Sequence, residues 1–220
     1  MHVLIRKIIF FSLVILLYYN ICFYIFIEEI YSILHFQIYL ILLFLLQFID
    51  TMIRPISEKG ETDKYSIILL ILFFAFPFLQ IINYYENLII ISKYFTFWDN
   101  LIISYIGIGI YILGGIISIV SRLQLGKFGG GYLVIVEDHK LITNGIYSKI
   151  RHPMYSGGLI AVICAGLVFR TIFMLILCLL LYFFIFRQRI NQEEQLLIES
   201  FGEEYLSYMK KTKRLIPFIY

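Results

Sequence analysis

The chain has 220 residues, of which 61% are hydrophobic and only 15% are charged, with a net charge of +3 and a mean hydropathy of +0.88. Soluble domains average about 45–50% apolar and about 25% charged residues, so the composition excludes an ordinary soluble fold and predicts an all-α integral membrane protein. The small net charge gives no indication of a nucleic-acid partner. Cys22, Cys164 and Cys178 lie in apolar runs without a CxxC or Cys/His pattern, so we expect no metal site.

Six apolar segments are candidate transmembrane helices, because a span needs roughly 20 apolar residues to cross a hydrocarbon core of about 30 Å. The last two are short and meet near Arg170, which predicts a tight hairpin that need not cross the whole bilayer. Residues 84–97 either extend the third span or lie at the interface. The six segments cover residues 3–27, 30–49, 65–83, 101–121, 154–169 and 171–186.

The distribution of Lys and Arg predicts the orientation of these spans, because cytoplasmic loops carry an excess of both residues. With the N-terminus inside, all 18 Lys and Arg residues except Lys93 and Arg170 fall in cytoplasmic segments. This predicts six spans with both termini in the cytoplasm. The first apolar run resembles a signal peptide, but it continues to about Ile27 without a small-residue cleavage site, so we expect a retained span.

The chain divides into two parts by composition. Residues 1–121 hold the first four spans, and residues 122–220 hold the hairpin and a polar region, which we expect to form the functional site. Residues 126–131 are rich in glycine and predict a flexible linker, because they lack the spacing of a phosphate-binding loop. Gly114 and Ser118, four residues apart, predict a close helix–helix approach.

A first polar cluster lies just before the hairpin. Asn144 and Gly145 are a turn signal, and Arg151, His152 and Pro153 follow. Proline suits the first turn of a helix, because its missing N–H costs nothing there. The free N–H groups of such a helix end favour an anion. The alternative is that the arginine and histidine are ordinary anchors at the membrane interface.

A second polar cluster lies just after the hairpin, on a helix expected to run to about residue 211, with Gly202 as a possible break. Arg189 and Glu193 are four residues apart and share a helix face, with Arg187 and Glu194 close by. A surface ion-pair ladder is the alternative. However, charge at the membrane boundary is costly, which favours a function.

Together the clusters offer an arginine that can bind a carboxylate and a glutamate that can bind an ammonium group. They also offer aromatic rings that can contact a nucleobase or a cationic sulfonium. Neither GxSxG nor HExxH occurs. Glu86 is the carboxylate nearest to a span interior, and we place it at the outer edge, so a transporter is poorly supported.

These motifs resemble the isoprenylcysteine carboxyl methyltransferase family and its relatives, which include phospholipid N-methyltransferases. The resemblance covers about residues 139–217 and includes 215–218 (LIPF). One departure is Ile146, where many relatives have proline after the glycine. The matching motifs are His139-Lys-Leu-Ile-Thr-Asn-Gly-Ile-Tyr147, Arg151-His-Pro-Met-Tyr155, Arg189, Glu193-Glu194, Phe201-Gly-Glu-Glu-Tyr205 and Tyr208.

The resemblance implies that the polar C-terminal region, rather than a Rossmann domain, binds S-adenosylmethionine. It implies that Arg189 faces the methyl acceptor as the catalytic residue. The cofactor contacts it implies are His139, Lys140, Leu141, Ile142, Tyr147, His152, Pro153, Met154, Tyr155 and Glu193.

The leading hypothesis is therefore direct methyl transfer to a lipophilic acceptor, most simply the carboxylate of an isoprenylcysteine-like small molecule or protein, with membrane lipids as the surroundings. A phospholipid amine or a small thiol is an alternative acceptor. A sterol-type membrane reductase using NADPH and a catalytically silent scaffold are alternatives from other classes.

Overall fold

The structure, a computed structural model, describes residues 2–54, 64–129 and 139–216. Within these ranges the chain is helical apart from turns and one parallel bridge between Ile150 and Lys213. Residues 130–138, which include the end of the predicted linker, and residues 217–220 lie outside the described ranges. The main helices are α1 (His2–Phe26), α2 (Leu34–Ile53), α3 (Lys64–Glu86), α4 (Leu101–Leu125), α5 (Pro153–Val168), α6 (Phe173–Phe201) and α7 (Glu203–Lys211).

The helices confirm the architecture of an integral membrane protein. Among the described residues, four apolar helical segments are long enough to cross a bilayer, namely Leu34–Ile53, Phe74–Tyr94, Leu101–Phe128 and Leu175–Phe201. Shorter apolar helices cover Leu16–Phe26 and Pro153–Val168. These segments correspond in order to the six predicted spans, and the 16 residues of α5 fit the first short hairpin arm. The second arm, also predicted to be short, is instead part of the 29-residue helix α6.

The third span extends beyond its predicted end at residue 83. After α3 the chain continues through a π-helical turn, Asn87–Ile91, and a short helical segment, Ser92–Tyr94. Most of the ambiguous segment 84–97 therefore prolongs the membrane helix. A π-turn inserts one extra residue into the helical repeat. Hydropathy alone does not distinguish such a turn from an interfacial segment.

Small residues bring α4 and α5 into close contact. A Cβ atom on Gly157 would lie 1.9 Å from the Ser118 hydroxyl oxygen, and one on Gly114 would lie 2.6 Å from a methyl carbon of Ile160. Lipid removes most of the hydrophobic drive for association, so helices in membranes associate through such close packing. The close approach predicted at Gly114 and Ser118 is confirmed.

Aromatic rings hold α1 and α2 against the end of α5. Phe36 and Tyr39 approach Phe169 with ring centroids 5.1 and 6.1 Å apart, and Phe23 approaches Phe36 at 5.4 Å. All four rings are buried. Edge-to-face pairs contribute about 0.5–1.5 kcal/mol each beyond their area. The hairpin is thereby fixed against the N-terminal helices.

Glu86 caps the start of α6. It is buried, and its Oε1 accepts hydrogen bonds from the backbone N–H groups of Ile172 and Phe173, both at 2.9 Å. Nearby, Arg170 and Asp99 form an ion pair at 2.6 Å. A carboxylate at a helix N-terminus interacts favourably with the helix dipole. Glu86 thus has a structural partner at the turn of the hairpin, although the prolonged helix continues beyond it to Tyr94 and the predicted position at the outer edge of the span is not borne out.

Candidate active site

The last residues of the chain return to the start of α5. Helix α6 ends at Gly202, where φ is +53°, and α7 turns back toward the bundle. The tail then runs parallel to residues 149–152: Arg151 N–H donates to the Lys213 carbonyl at 2.7 Å, and His152 N–H donates to the Arg214 carbonyl at 3.0 Å. The two polar clusters therefore meet at one end of α5 and α6, as the hairpin predicts.

Glu194 lies at the centre of a buried charge cluster in this region. Its side chain is only 3% exposed, and it accepts hydrogen bonds from Arg151 Nε at 2.8 Å and from Arg214. His152 Nε2 lies 3.3 Å from the same carboxylate. Burial would raise the pKa of Glu194, but the hydrogen bonds from His152 and Arg151 outweigh it and lower the pKa to about 2. The carboxylate is therefore ionised at neutral pH.

Pro153 occupies the first turn of α5, as predicted. Glu194 is an anion close to this helix start, where it binds the side chains of Arg151 and His152. Arg151 also donates to the backbone carbonyls of Met209 and Thr212. The arginine thus joins three segments of the chain and has a larger role than interface anchoring.

Arg189, Glu193 and Tyr155 form a second group beside this cluster. The Tyr155 hydroxyl donates to Glu193 Oε2 at 2.9 Å, and Arg189, 4% exposed, hydrogen-bonds with Tyr155. His152 Nδ1 lies 3.9 Å from Glu193 Oε1. The side chain of Glu193 keeps 34% of its surface exposed. The predicted catalytic arginine and two predicted cofactor residues are therefore in contact.

The segment beginning at His139 approaches the same region. The His139 ring stacks on Phe128 with centroids 4.5 Å apart and meets Phe201 edge-on at 5.5 Å. Burial lowers the pKa of His139, although the negative charge of Glu193 opposes this. The imidazole is therefore neutral at pH 7. Lys140 is exposed, whereas Leu141, Ile142 and Met154 are half-buried.

Tyr147 is held from two sides. Its hydroxyl donates to the Ser121 carbonyl at 3.4 Å, and its own carbonyl accepts from the Tyr208 hydroxyl at 2.6 Å. The preceding Ile146 N–H donates to Gln124 Oε1 at 3.0 Å. Proline at position 146 could not make this bond. The departure from the family pattern thus replaces a rigid ring with a hydrogen bond.

Gly145 permits this turn, because its φ is +55° and a Cβ atom would lie 1.6 Å from Gln124 Nε2. We expect Gly145→Ala to destabilise the protein by about 2 kcal/mol or more, since the left-handed conformation alone costs about 1–2 kcal/mol with a side chain. Thermal unfolding in detergent measures the effect. Adding Gln124→Ala removes the clash, so the double variant should recover part of the loss; equal stability of Gly145→Ala and wild type would contradict this reading.

Sequence reasoning missed Gln124, Thr212 and Arg214 as parts of the site. Arg214 entered the sequence analysis only as one of the Lys and Arg residues that predict the orientation of the spans. Gln124 belongs to none of the recognised motifs. The signal that could have found Arg214 is the buried carboxylate of Glu194, which has to be matched by cations. That burial becomes visible only when the tail is placed beside residues 149–152.

Comparisons with known proteins agree with this geometry. Residues 102–204 match the family described as phospholipid methyltransferase. A probable protein-S-isoprenylcysteine O-methyltransferase of Oryza sativa subsp. indica is 34% identical over 119 residues, which cover 53% of this chain and 62% of the relative. The Schizosaccharomyces pombe protein-S-isoprenylcysteine O-methyltransferase is 37% identical over 83 residues, covering 38% and 35%. The matches thus span less than two thirds of these relatives.

The fold also matches a solved structure. The eukaryotic intramembrane Ras methyltransferase, isoprenylcysteine carboxyl methyltransferase, superposes with a TM-score of 0.65 at 19% identity, covering 92% of this chain and 73% of that one. The resemblance predicted from the motifs is confirmed: in sequence over up to about half of its length, and in fold over most of its length, the chain is similar to the isoprenylcysteine methyltransferases.

Proposed function

We propose that this protein is a membrane-embedded methyltransferase that uses S-adenosylmethionine and methylates the carboxylate of an isoprenylcysteine-like acceptor, either a small molecule or a prenylated protein. The observation that carries the proposal is the contact of Arg189, Tyr155 and Glu193 at the end of the hairpin. A buried cation there can bind a carboxylate, and a half-exposed anion beside it can bind an ammonium or hydroxyl group.

Unsatisfied polar atoms in the same region fit a polar cofactor. Within the part of the chain that the structure describes, His139 Nδ1 and the Tyr205 hydroxyl are buried without a hydrogen-bond partner. Buried polar groups normally have partners, so such atoms favour a ligand that supplies them. We propose that the segment 139–142, Tyr147, residues 152–155 and Glu193 hold S-adenosylmethionine, which supplies an electrophilic methyl group on a sulfonium.

The protein residues would then position the acceptor carboxylate rather than activate it. A carboxylate acceptor is ionised at pH 7, so its oxygen can attack the methyl carbon without a base while the carbon–sulfur bond breaks. Arg189 would orient the carboxylate through its planar guanidinium, and Tyr155 would link that guanidinium to Glu193. Holding the two reactants in line is the main contribution that such a reaction requires. The apolar ring of Phe186, 5.2 Å from Tyr155, would help to exclude water.

Methyl transfer from radiolabelled S-adenosylmethionine tests the proposal. We expect the purified protein to label an S-farnesyl cysteine derivative with a free carboxylate, and the label to be released by mild base as expected for an ester. The match to phospholipid methyltransferases makes phosphatidylethanolamine the informative second acceptor. Base-stable labelling of that lipid alone would replace the carboxyl assignment with N-methylation.

We also propose that both termini face the cytoplasm and that residues 122–220 carry the site on the scaffold of residues 1–121. The Lys and Arg distribution supports this orientation. Single cysteines at Lys93 and Lys213 should react with a membrane-impermeant maleimide from opposite sides of sealed vesicles, with the unmodified chain as the control for its native thiols. Labelling of both positions from one side would contradict the six-span topology.

A further inference from the structure

An ion pair outside the candidate site joins the last turns of α2 and α4. Arg122 on α4 directs its Nε to Asp50 on α2, and the two side chains are 7% and 18% exposed. Arg54 binds the other carboxylate oxygen, Asp50 Oδ2, at 2.8 Å, but its own side chain is 45% exposed. Asp50 therefore binds one buried and one exposed arginine. The buried one depends on it more strongly, because a buried charge without a counterion is costly.

The buried arginine also contacts the chain beyond α4. Arg122 Nη1 donates to the Gly129 carbonyl at 2.6 Å. Gly129 directly follows the short 3₁₀ turn after α4, and this turn carries Phe128. The Phe128 ring stacks on the His139 imidazole with centroids 4.5 Å apart. Asp50 is therefore connected to a predicted cofactor residue through the guanidinium of Arg122, one backbone carbonyl and one aromatic ring.

The shape of the guanidinium makes this connection directional. Its N–H groups lie in one plane at fixed angles, so an acceptor bound at Nε determines where Nη1 points. Without the charge of Asp50, Arg122 loses the contact that fixes this plane, and the Gly129 carbonyl loses its side-chain donor. A fastening between two helices needs only the ion pair, whereas the second bond extends the effect of Asp50 to the turn that carries Phe128.

We propose that Asp50 is a positioning residue for the cofactor site, which acts through Arg122 and the turn 126–129 on the plane of the His139 ring. The inference rests on the proposed function, in which His139 contacts S-adenosylmethionine. Among the described residues, His139 Nδ1 is buried and has no partner, so a ligand that binds it needs the ring in one orientation. Asp50 lies outside residues 102–204, which match the family model. The N-terminal helices would thus contribute to cofactor affinity as well as to the fold.

Hydrogen exchange of the full-length, cofactor-free protein in detergent tests the connection independently of activity. Asp50→Asn nearly keeps the shape of the side chain and removes its charge. In the turn 126–129, the Gly129 N–H donates to the Gly126 carbonyl at 3.2 Å. We expect the peptide that covers this turn to exchange at least about tenfold faster in Asp50→Asn, because loss of a hydrogen bond from a charged donor makes local opening easier.

Arg54→Gln is the matched control for hydrogen exchange. It removes the exposed partner of Asp50 and leaves the buried bond to Arg122 in place, so exchange in the turn should equal that of the wild-type protein. Equal acceleration throughout α2 and α4 in Asp50→Asn would overturn the inference, since it would reveal a general loss of stability rather than the release of one turn.

Calorimetry with S-adenosylmethionine measures the consequence for the site. We expect Asp50→Asn to weaken binding at least about fivefold, the lower end of typical couplings between two sites. Asp50→Glu should lose less, because it keeps the charge, and Arg54→Gln should bind like the wild-type protein. Unchanged affinity in Asp50→Asn would overturn the inference.

Phe128→Leu tests the path of the connection, because it removes the stack on His139. In this background Asp50→Asn should weaken cofactor binding by less than about twofold more, since residues that act through one path are not additive. A full additional loss would overturn the inference. Failure of the folded wild-type protein to bind the cofactor would overturn the proposed function, and with it this role of Asp50, even if hydrogen exchange changes as expected.

Discussion

Replacing Glu194 with glutamine will lower the free energy of unfolding by about 3 kcal/mol or more, the usual cost of removing one partner from a buried charge cluster. Two arginines, Arg151 and Arg214, lose their shared anion, and both are tied to the tail that crosses the start of α5. Glutamine keeps the shape of the side chain, so the loss comes from charge. For a chain of this size we expect the midpoint of thermal unfolding to fall by about 6 °C or more.

Thermal unfolding in one detergent, followed by circular dichroism, measures this effect. Glu199→Gln is the matched control, because Glu199 lies on the same helix and is exposed. Its midpoint should move by less than about 1 °C, since exposed surface charges contribute little. A Glu194→Gln midpoint equal to that of the control would show that the buried cluster does not stabilise the fold.

Arg189→Lys will lower kcat for the carboxylate acceptor by at least about tenfold while leaving the affinity for S-adenosylmethionine nearly unchanged. A lysine keeps the charge but cannot present two parallel N–H groups to a carboxylate, so the acceptor is held in many orientations instead of one. Loss of alignment in the transition state lowers kcat, whereas loss of simple attraction raises KM. Separate measurement of kcat and KM therefore distinguishes loss of the acceptor's alignment from loss of its electrostatic attraction.

The matched control is Arg187→Lys, two residues earlier on α6 and exposed. It should retain turnover within about twofold, because a surface charge of the same sign remains there. Full turnover by Arg189→Lys would show that a bidentate contact is not required. An equal loss in both variants would show that the effect is not specific to the position of Arg189.

The helical architecture was predictable because the lengths of the apolar runs in the sequence determine it. Apolar runs of sufficient length can form only helices or closed barrels in lipid, and the turn residues at 144–145 and 153 mark the start of the hairpin correctly. The prolongation of the third span through Asn87–Ile91 was not predictable. A π-turn depends on packing against neighbouring helices rather than on composition.

The candidate site was predictable where chemistry follows from short-range spacing. Arg189 and Glu193 share a face because they are four residues apart, and Pro153 begins a helix because of its ring. The contacts of Arg214 with Glu194 and of Thr171 with Asn83 depend instead on how distant segments pack. The roles of the cofactor residues come from the family resemblance and stay predictions.

Binding of S-adenosylmethionine to the detergent-purified protein, measured by calorimetry with NADPH in parallel, tests the central claim most directly. We expect saturable binding of S-adenosylmethionine, at least a tenfold weakening in Glu193→Ala and no change in Glu199→Ala, because only Glu193 lies beside Tyr155 and His152. Binding of NADPH but not of S-adenosylmethionine by the folded protein would contradict the methyltransferase assignment and favour a reductase.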